Sequence, residues 1–98
     1  MLTKSQIRYL KASAHKLNPV VMIGNNGITE AIIKESDRAL TAHELIKIKL
    51  GNLPDETQSA IITEITAKTA CEFVAKIGHI GIFYRENPEK RAYKLPKD

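Results

Sequence analysis

Apolar and polar positions change period several times along this chain, and each change coincides with a turn signal. From about Thr3 to Leu17 the residues Ile7, Leu10, Ala14 and Leu17 recur at helical spacing and form one stripe. Thr3 and Gln6 fit a capping box at the start of that helix. Asn18-Pro19 ends it, because a residue before proline disfavours the helical region. Val20-Val21-Met22-Ile23 is a β-branched apolar run of the kind found in a buried parallel strand. Gly24-Asn25-Asn26-Gly27 follows as a tight turn, and a second helix is expected from Thr29, a good N-cap, to about Leu40, with Ile28, Ile32, Ile33 and Leu40 among its buried positions.

In the strand expected over Leu45 to Leu50, Ile46, Ile48 and Leu50 alternate with Lys47 and Lys49. His43-Glu44 leads into it. After the loop Gly51-Asn52-Leu53-Pro54-Asp55, a long third helix is expected from Glu56 to Ile77. Its stripe would be Ile62, Ile65, Thr69, Phe73 and Ile77, with Gly78 as the C-terminal cap. Ile80 to Arg85 reads as a third strand, Glu86 to Lys90 as a turn and Arg91 to Leu95 as a last short strand. The order α-β-α-β-α-β-β predicts one two-layer α/β domain over residues 1–98. Its four-stranded mixed sheet has a parallel part and a closing antiparallel hairpin.

Charge sharpens this picture. The net charge is +4, but the charged residues through Gly27 are Lys4, Arg8, Lys11 and Lys16, and the first carboxylate is Glu30. The other 11 basic residues cancel the 11 acidic ones, so the whole excess is N-terminal. On the first helix Lys4, Arg8, Lys11 and His15 share a narrow arc roughly a quarter-turn or more from the apolar stripe. One face can dock on a core while the other presents a basic ridge. Such a ridge suits a polyanion, and it also suits plain solvation.

Beside the ridge, in sequence, lies the Gly24-Asn25-Asn26-Gly27 loop. Glycines allow positive φ and close approach of a ligand. The helix that follows begins with amides that lack partners and with the positive end of its dipole. Together these features suit a phosphate. A similar loop clamps nucleic-acid backbone in KH domains, where it joins two helices, so the likeness is one of chemistry. By itself the loop is also ordinary turn chemistry. The expected contacts to a phosphate backbone are Lys4, Arg8, Lys11, His15, Lys16, Gly24, Asn25, Asn26, Gly27 and Thr29.

Other chemistries lack their residues. A P-loop needs four residues between its glycines and then Lys-Ser/Thr, whereas Ile28-Thr29 follows Gly27. Glu30 occupies the place of a Rossmann third glycine. The single Cys71 excludes an internal disulfide and reads as a small buried hydrophobe. His15, His43 and His79 have no metal-ligand spacing and no arguable nucleophile partner. No catalytic residue, cofactor or metal is expected. No signal peptide or membrane span is read in the chain, which makes the cytoplasm the default. Tyr9, Tyr84 and Tyr93 do not make an aromatic platform, so recognition should be of backbone and shape. Lys47 and Lys49, with Arg85, could extend the surface or simply face solvent.

The stretch from Ala14 to Thr29, AHKLNPVVMIGNNGIT, strongly resembles the CRM domain (chloroplast RNA splicing and ribosome maturation) in its single-domain bacterial YhbY-type form. His43 to Leu50 matches that family's second strand, and Gly78 to Arg85 resembles its closing strand. The resemblance covers essentially the whole chain. It implies a fold like the C-terminal domain of bacterial translation initiation factor three, and association with precursors of the large ribosomal subunit. It places Gly24 and Gly27 on the family's RNA-contacting loop. Many members carry a lysine there; Asn25 and Asn26 keep amide donors but not the cation, which shifts weight to Lys4, Arg8 and Lys11. The expected partner is RNA, with ribosomal proteins as a further class and neither DNA nor membrane. The competing reading is a protein-interaction module docking on a ribosomal protein or assembly factor. A small phosphate-ester enzyme would need a positioned base that the sequence does not offer.

Overall fold

The computed structural model describes residues 2–24, 26–89 and 91–97. The elements are α1 (Lys4–Ala14), β1 (Pro19–Met22), α2 (Glu30–His43), β2 (Leu45–Lys49), α3 (Asp55–Thr69), β3 (Glu72–Ile77) and β4 (Ile80–Tyr84). Their order is α-β-α-β-α-β-β. They form one four-stranded sheet in the order β1-β2-β4-β3, parallel between β1 and β2 and antiparallel elsewhere.

The sheet divides two apolar clusters. On one side Leu40 of α2 and Ile61 and Ile65 of α3 pack over Val21, Ile46, Ile48 and Phe83. On the other side Leu10 and Ala14 of α1 pack over Leu45, Val74, Ile82 and Tyr84. Helices thus cover both faces, and α1 adds a layer to the expected two. Alternation along β2 produces the division, with Ile46 and Ile48 on one side and Leu45, Lys47 and Lys49 on the other.

Two expected elements differ. The third helix stops at Thr69, and Glu72–Ile77 is a strand. Ala70 takes the left-handed conformation and ends the helix. Gly78, at φ +61, is not a helix cap but half of the two-residue turn joining β3 to β4. A glycine with positive φ serves both purposes, so its identity did not discriminate between them. The closing hairpin therefore pairs Glu72–Ile77 with Ile80–Tyr84. The expected last strand, 91–95, is absent. Both edges of β4 are already taken by β2 and β3, which leaves no ladder for it. Of the turn expected before it, Lys90 lies outside the described residues.

The segment after β4 is held by one buried carboxylate instead. Glu44 joins α2 to β2 in a single residue at φ +64, a conformation unfavourable for any residue with a Cβ. Its Oε2 accepts from the Asn87 amide at 2.6 Å, and its Oε1 from the Ala92 and Tyr93 amides at 2.7 and 3.1 Å. Charge-assisted bonds of this kind offset both the strain and the burial. Tyr93 and Leu95 then pack against the α1 cluster, and Gln6 Nε2 donates to the Pro96 carbonyl at 3.1 Å.

Candidate nucleic-acid interface

The α1 capping box is present. Gln6 N donates to Thr3 Oγ1 at 3.2 Å, and Thr3 N donates to Gln6 Oε1 at 3.0 Å. With Leu10 and Ala14 fully buried, the helix is fixed in rotation about its axis. Lys4, Arg8, Lys11, His15 and Lys16 are consequently all exposed. Among the described residues no ion pair involves Lys4, Arg8, Lys11 or Lys16. The first turn of α1 holds no carboxylate and begins with Lys4, a cation at the positive end of the helix dipole. Helix stability does not explain that placement.

The glycine loop leaves the C-terminal end of β1. Gly27 N donates to the Gly24 carbonyl at 3.0 Å, and Gly27 sits at φ +72, where a Cβ would be strained. Gly24 and Asn26 are exposed and Gly27 half-buried, while Asn25 lies outside the described residues. Thr29 caps α2, its Oγ1 accepting from Ile32 N at 3.2 Å and its carbonyl from Ile33 N at 3.1 Å. Its hydroxyl oxygen is thus already engaged by the helix. The amides of Glu30 and Ala31, in the first turn, have no acceptor within the helix. The Glu30 carboxylate stands in the same turn and pairs with Lys34 at 3.7 Å, so an anion there meets one like charge.

Ridge and loop are not one pocket. α1 enters the sheet at the start of β1, whereas the loop springs from the other end of that strand. Five residues of extended chain, about 16 Å, separate Pro19 from Gly24. The loop also turns toward the α2 layer, on the face opposite α1. α1 itself crosses the sheet face over β2, β4 and β3, so the ridge and the loop are two separate anion-seeking elements.

The remaining candidates separate clearly. Lys47 and Lys49 do share the α1 side of the sheet, and Lys47 Nζ donates to the His15 carbonyl at 3.4 Å. Arg85 does not join them. Its guanidinium pairs with Asp37 at 2.6 Å and also donates to the Thr69 carbonyl at 2.7 Å and Thr41 Oγ1 at 2.8 Å, stapling α2 to the end of α3. Tyr84 is buried and Tyr9 and Tyr93 are half-buried, so none is displayed for stacking. Burial first, and then the nearby Glu44 carboxylate, raises the Tyr84 phenol above its ordinary range. Cys71 is buried between α3 and β3, not mid-helix, and burial raises its thiol. His43 is exposed at the end of α2, while His79 Nδ1 lies 3.0 Å from Gln58 Nε2. Among the described residues no group of three His, Cys, Asp or Glu side chains could hold a metal ion, and no helix is long and apolar enough to cross a membrane.

Sequence reasoning missed one part of this surface. Val20-Val21-Met22-Ile23 reads as a buried parallel strand, yet β1 is a sheet edge with Val20 47% and Met22 64% exposed. Periodicity cannot reveal it, because exposure on a sheet depends on what the helices leave uncovered.

Residues 2–85 match the CRS1 / YhbY (CRM) domain. A Haemophilus influenzae protein named as an RNA-binding protein is 44% identical over 96 residues, spanning 98% of this chain and 96% of its own. The Bacillus subtilis protein YqeI, named a probable RNA-binding protein, is 31% identical and spans 98% of this chain and 100% of its own. The solution structure of a Staphylococcus aureus hypothetical protein, proposed to bind RNA, superposes with a TM-score of 0.85. It is 35% identical and covers 98% of this chain and 100% of that one.

Proposed function

The chain belongs to the CRS1 / YhbY (CRM) domain family, and from that premise we propose that it is a non-enzymatic RNA-binding protein acting in assembly of the large ribosomal subunit. Relatives along nearly its whole length are named for RNA binding, which supports RNA as the partner. In this reading the RNA is a structured precursor of large-subunit ribosomal RNA, met in the cytoplasm. Lys4, Arg8, Lys11 and Lys16 neutralise successive phosphates, and His15 adds a hydrogen-bonding ring to the same ridge. The Gly24-Asn25-Asn26-Gly27 loop, with Thr29 and the first amides of α2, seats a further one. Contacts of this kind fix position and carry little sequence information, so shape should govern choice of site.

The observation that carries the reading is the unneutralised α1 ridge. Its cations have no carboxylate partners among the described residues and are all exposed. Replacing Lys4, Arg8 and Lys11 together by Glu tests it. The triple variant should melt as the wild type does, lose RNA binding in pure solution and leave the large-subunit precursor fractions of a sucrose gradient. Full retention in those fractions after ribonuclease treatment would instead assign the chain to a protein partner.

A further inference from the structure

Four side chains, one from each strand, stand in a row across the α1 side of the sheet. Met22 pairs with Lys49, Lys49 with Ile80, and Ile80 with Ile77, so all four project to the same face. The next row down, containing Lys47, Ile82 and Ala75, is where α1 begins to cover the sheet, and Ile82 there is buried. The upper row stays open. Met22 is 64% and Ile77 56% exposed, Lys49 is exposed and Ile80 half-buried.

We propose that this row is a contact surface for the bases of an unpaired RNA segment whose backbone is held by the neighbouring cations. The inference rests on the RNA-binding reading above and adds where the bases lie. Three strand spacings give the row a length of about 14 Å. Met22 lies two residues before Gly24, so the row runs directly into the glycine loop. Lys49 stands in the middle of the row, Lys47 beside it, and no carboxylate belongs to it. A protein partner fits less well. Protein interface cores are depleted in lysine, and a stable one needs about 800 Å² per partner. Nucleotides suit the mixture, because an aliphatic side chain covers a base face while the adjacent ammonium meets the phosphate. Bases within a duplex are already stacked and cannot use such a surface, which makes the row a selector for unpaired segments.

Fluorescence anisotropy with two labelled probes of equal length, an unpaired mixed-sequence RNA oligomer and a fully paired duplex, tests the proposal. A Met22→Ser, Ile77→Ser double variant should lose about tenfold in affinity for the oligomer and less than about twofold for the duplex. Its salt dependence should be unchanged, since no cation is removed. Unchanged affinity for the oligomer, or equal losses on both probes, overturns the proposal. A wild-type protein that binds neither probe overturns the RNA-binding reading itself, a separate result. Intact oligomer affinity combined with loss of a ribonuclease-resistant association with ribosomal particles assigns the row to a protein and overturns it too. Photo-crosslinking of the wild type to a thiouridine-containing oligomer gives a check independent of the variant. Crosslinked peptides should contain Met22, Ile77 or Ile80, and their absence among the crosslinks contradicts the proposal.

Discussion

The two helical layers of this small domain treat their charges in opposite ways. On the α2 and α3 side, six carboxylates face three cations within the helices, and ion pairs are frequent: Lys34 with Glu30, Lys68 with Glu64, Lys76 with Asp55 and Arg85 with Asp37. On the α1 side the helix carries three cations and no acid, and none of its cations is paired among the described residues. Each layer buries apolar side chains against the sheet, so both can fold. The difference separates charge that serves the fold from charge that the proposed reading leaves for RNA. Removing a charge from the first layer, or from its connections, should cost stability and spare RNA binding. Removing charge from α1 should do the reverse.

Glu44 is the most demanding test of that division. Glu44→Ala removes the acceptor of three amides and leaves a Cβ at positive φ. It should lower unfolding free energy by about 3 kcal/mol in a urea titration. The amides of Asn87, Ala92 and Tyr93 should lose protection from hydrogen exchange, while RNA affinity changes little. Arg85→Lys comes next. A point charge cannot reproduce the fork that reaches Asp37, Thr69 and Thr41 together, and about 1–2 kcal/mol of stability should go with it. If Arg85→Lys weakened RNA binding at constant stability, Arg85 would belong to the interface and the comparison would break.

The loop gives smaller effects. Gly27→Ala forces a Cβ into the left-handed region and should cost about 1 kcal/mol in stability. Affinity for RNA should fall severalfold, clearly less than after reversal of the ridge. Glu30→Gln should have the smallest effect and the opposite sign. It removes the one carboxylate in the first turn of α2 and should tighten RNA binding by about twofold at low salt. Unchanged affinity would show that no phosphate approaches that turn.

Some of this was written locally in the chain. The α1 capping box, the Thr29 cap and the ridge all follow from residues three or four apart, which is the range over which a helix organises itself. Alternation in β2 was legible for the same kind of reason. The end of α3 was not, because the apolar residues Phe73 and Ile77 continue a helical period that the chain abandons at Ala70. Glu44 could not be found by pattern, since its partners lie more than 40 residues away. The open row of Met22, Lys49, Ile80 and Ile77 exists only through strand register, which joins β1, β2 and the β3–β4 hairpin from distant parts of the sequence.

The slope of log affinity against log salt, compared between the wild type and a neutral Lys4→Gln, Arg8→Gln, Lys11→Gln variant that still binds measurably, tests the central claim most directly. Each phosphate that the ridge no longer neutralises should flatten the slope by close to one unit, so the variant should be shallower by about three. The melting temperature should stay where it is. Equal slopes for the two proteins, or a wild type whose affinity ignores salt, would contradict the assignment of this ridge to RNA.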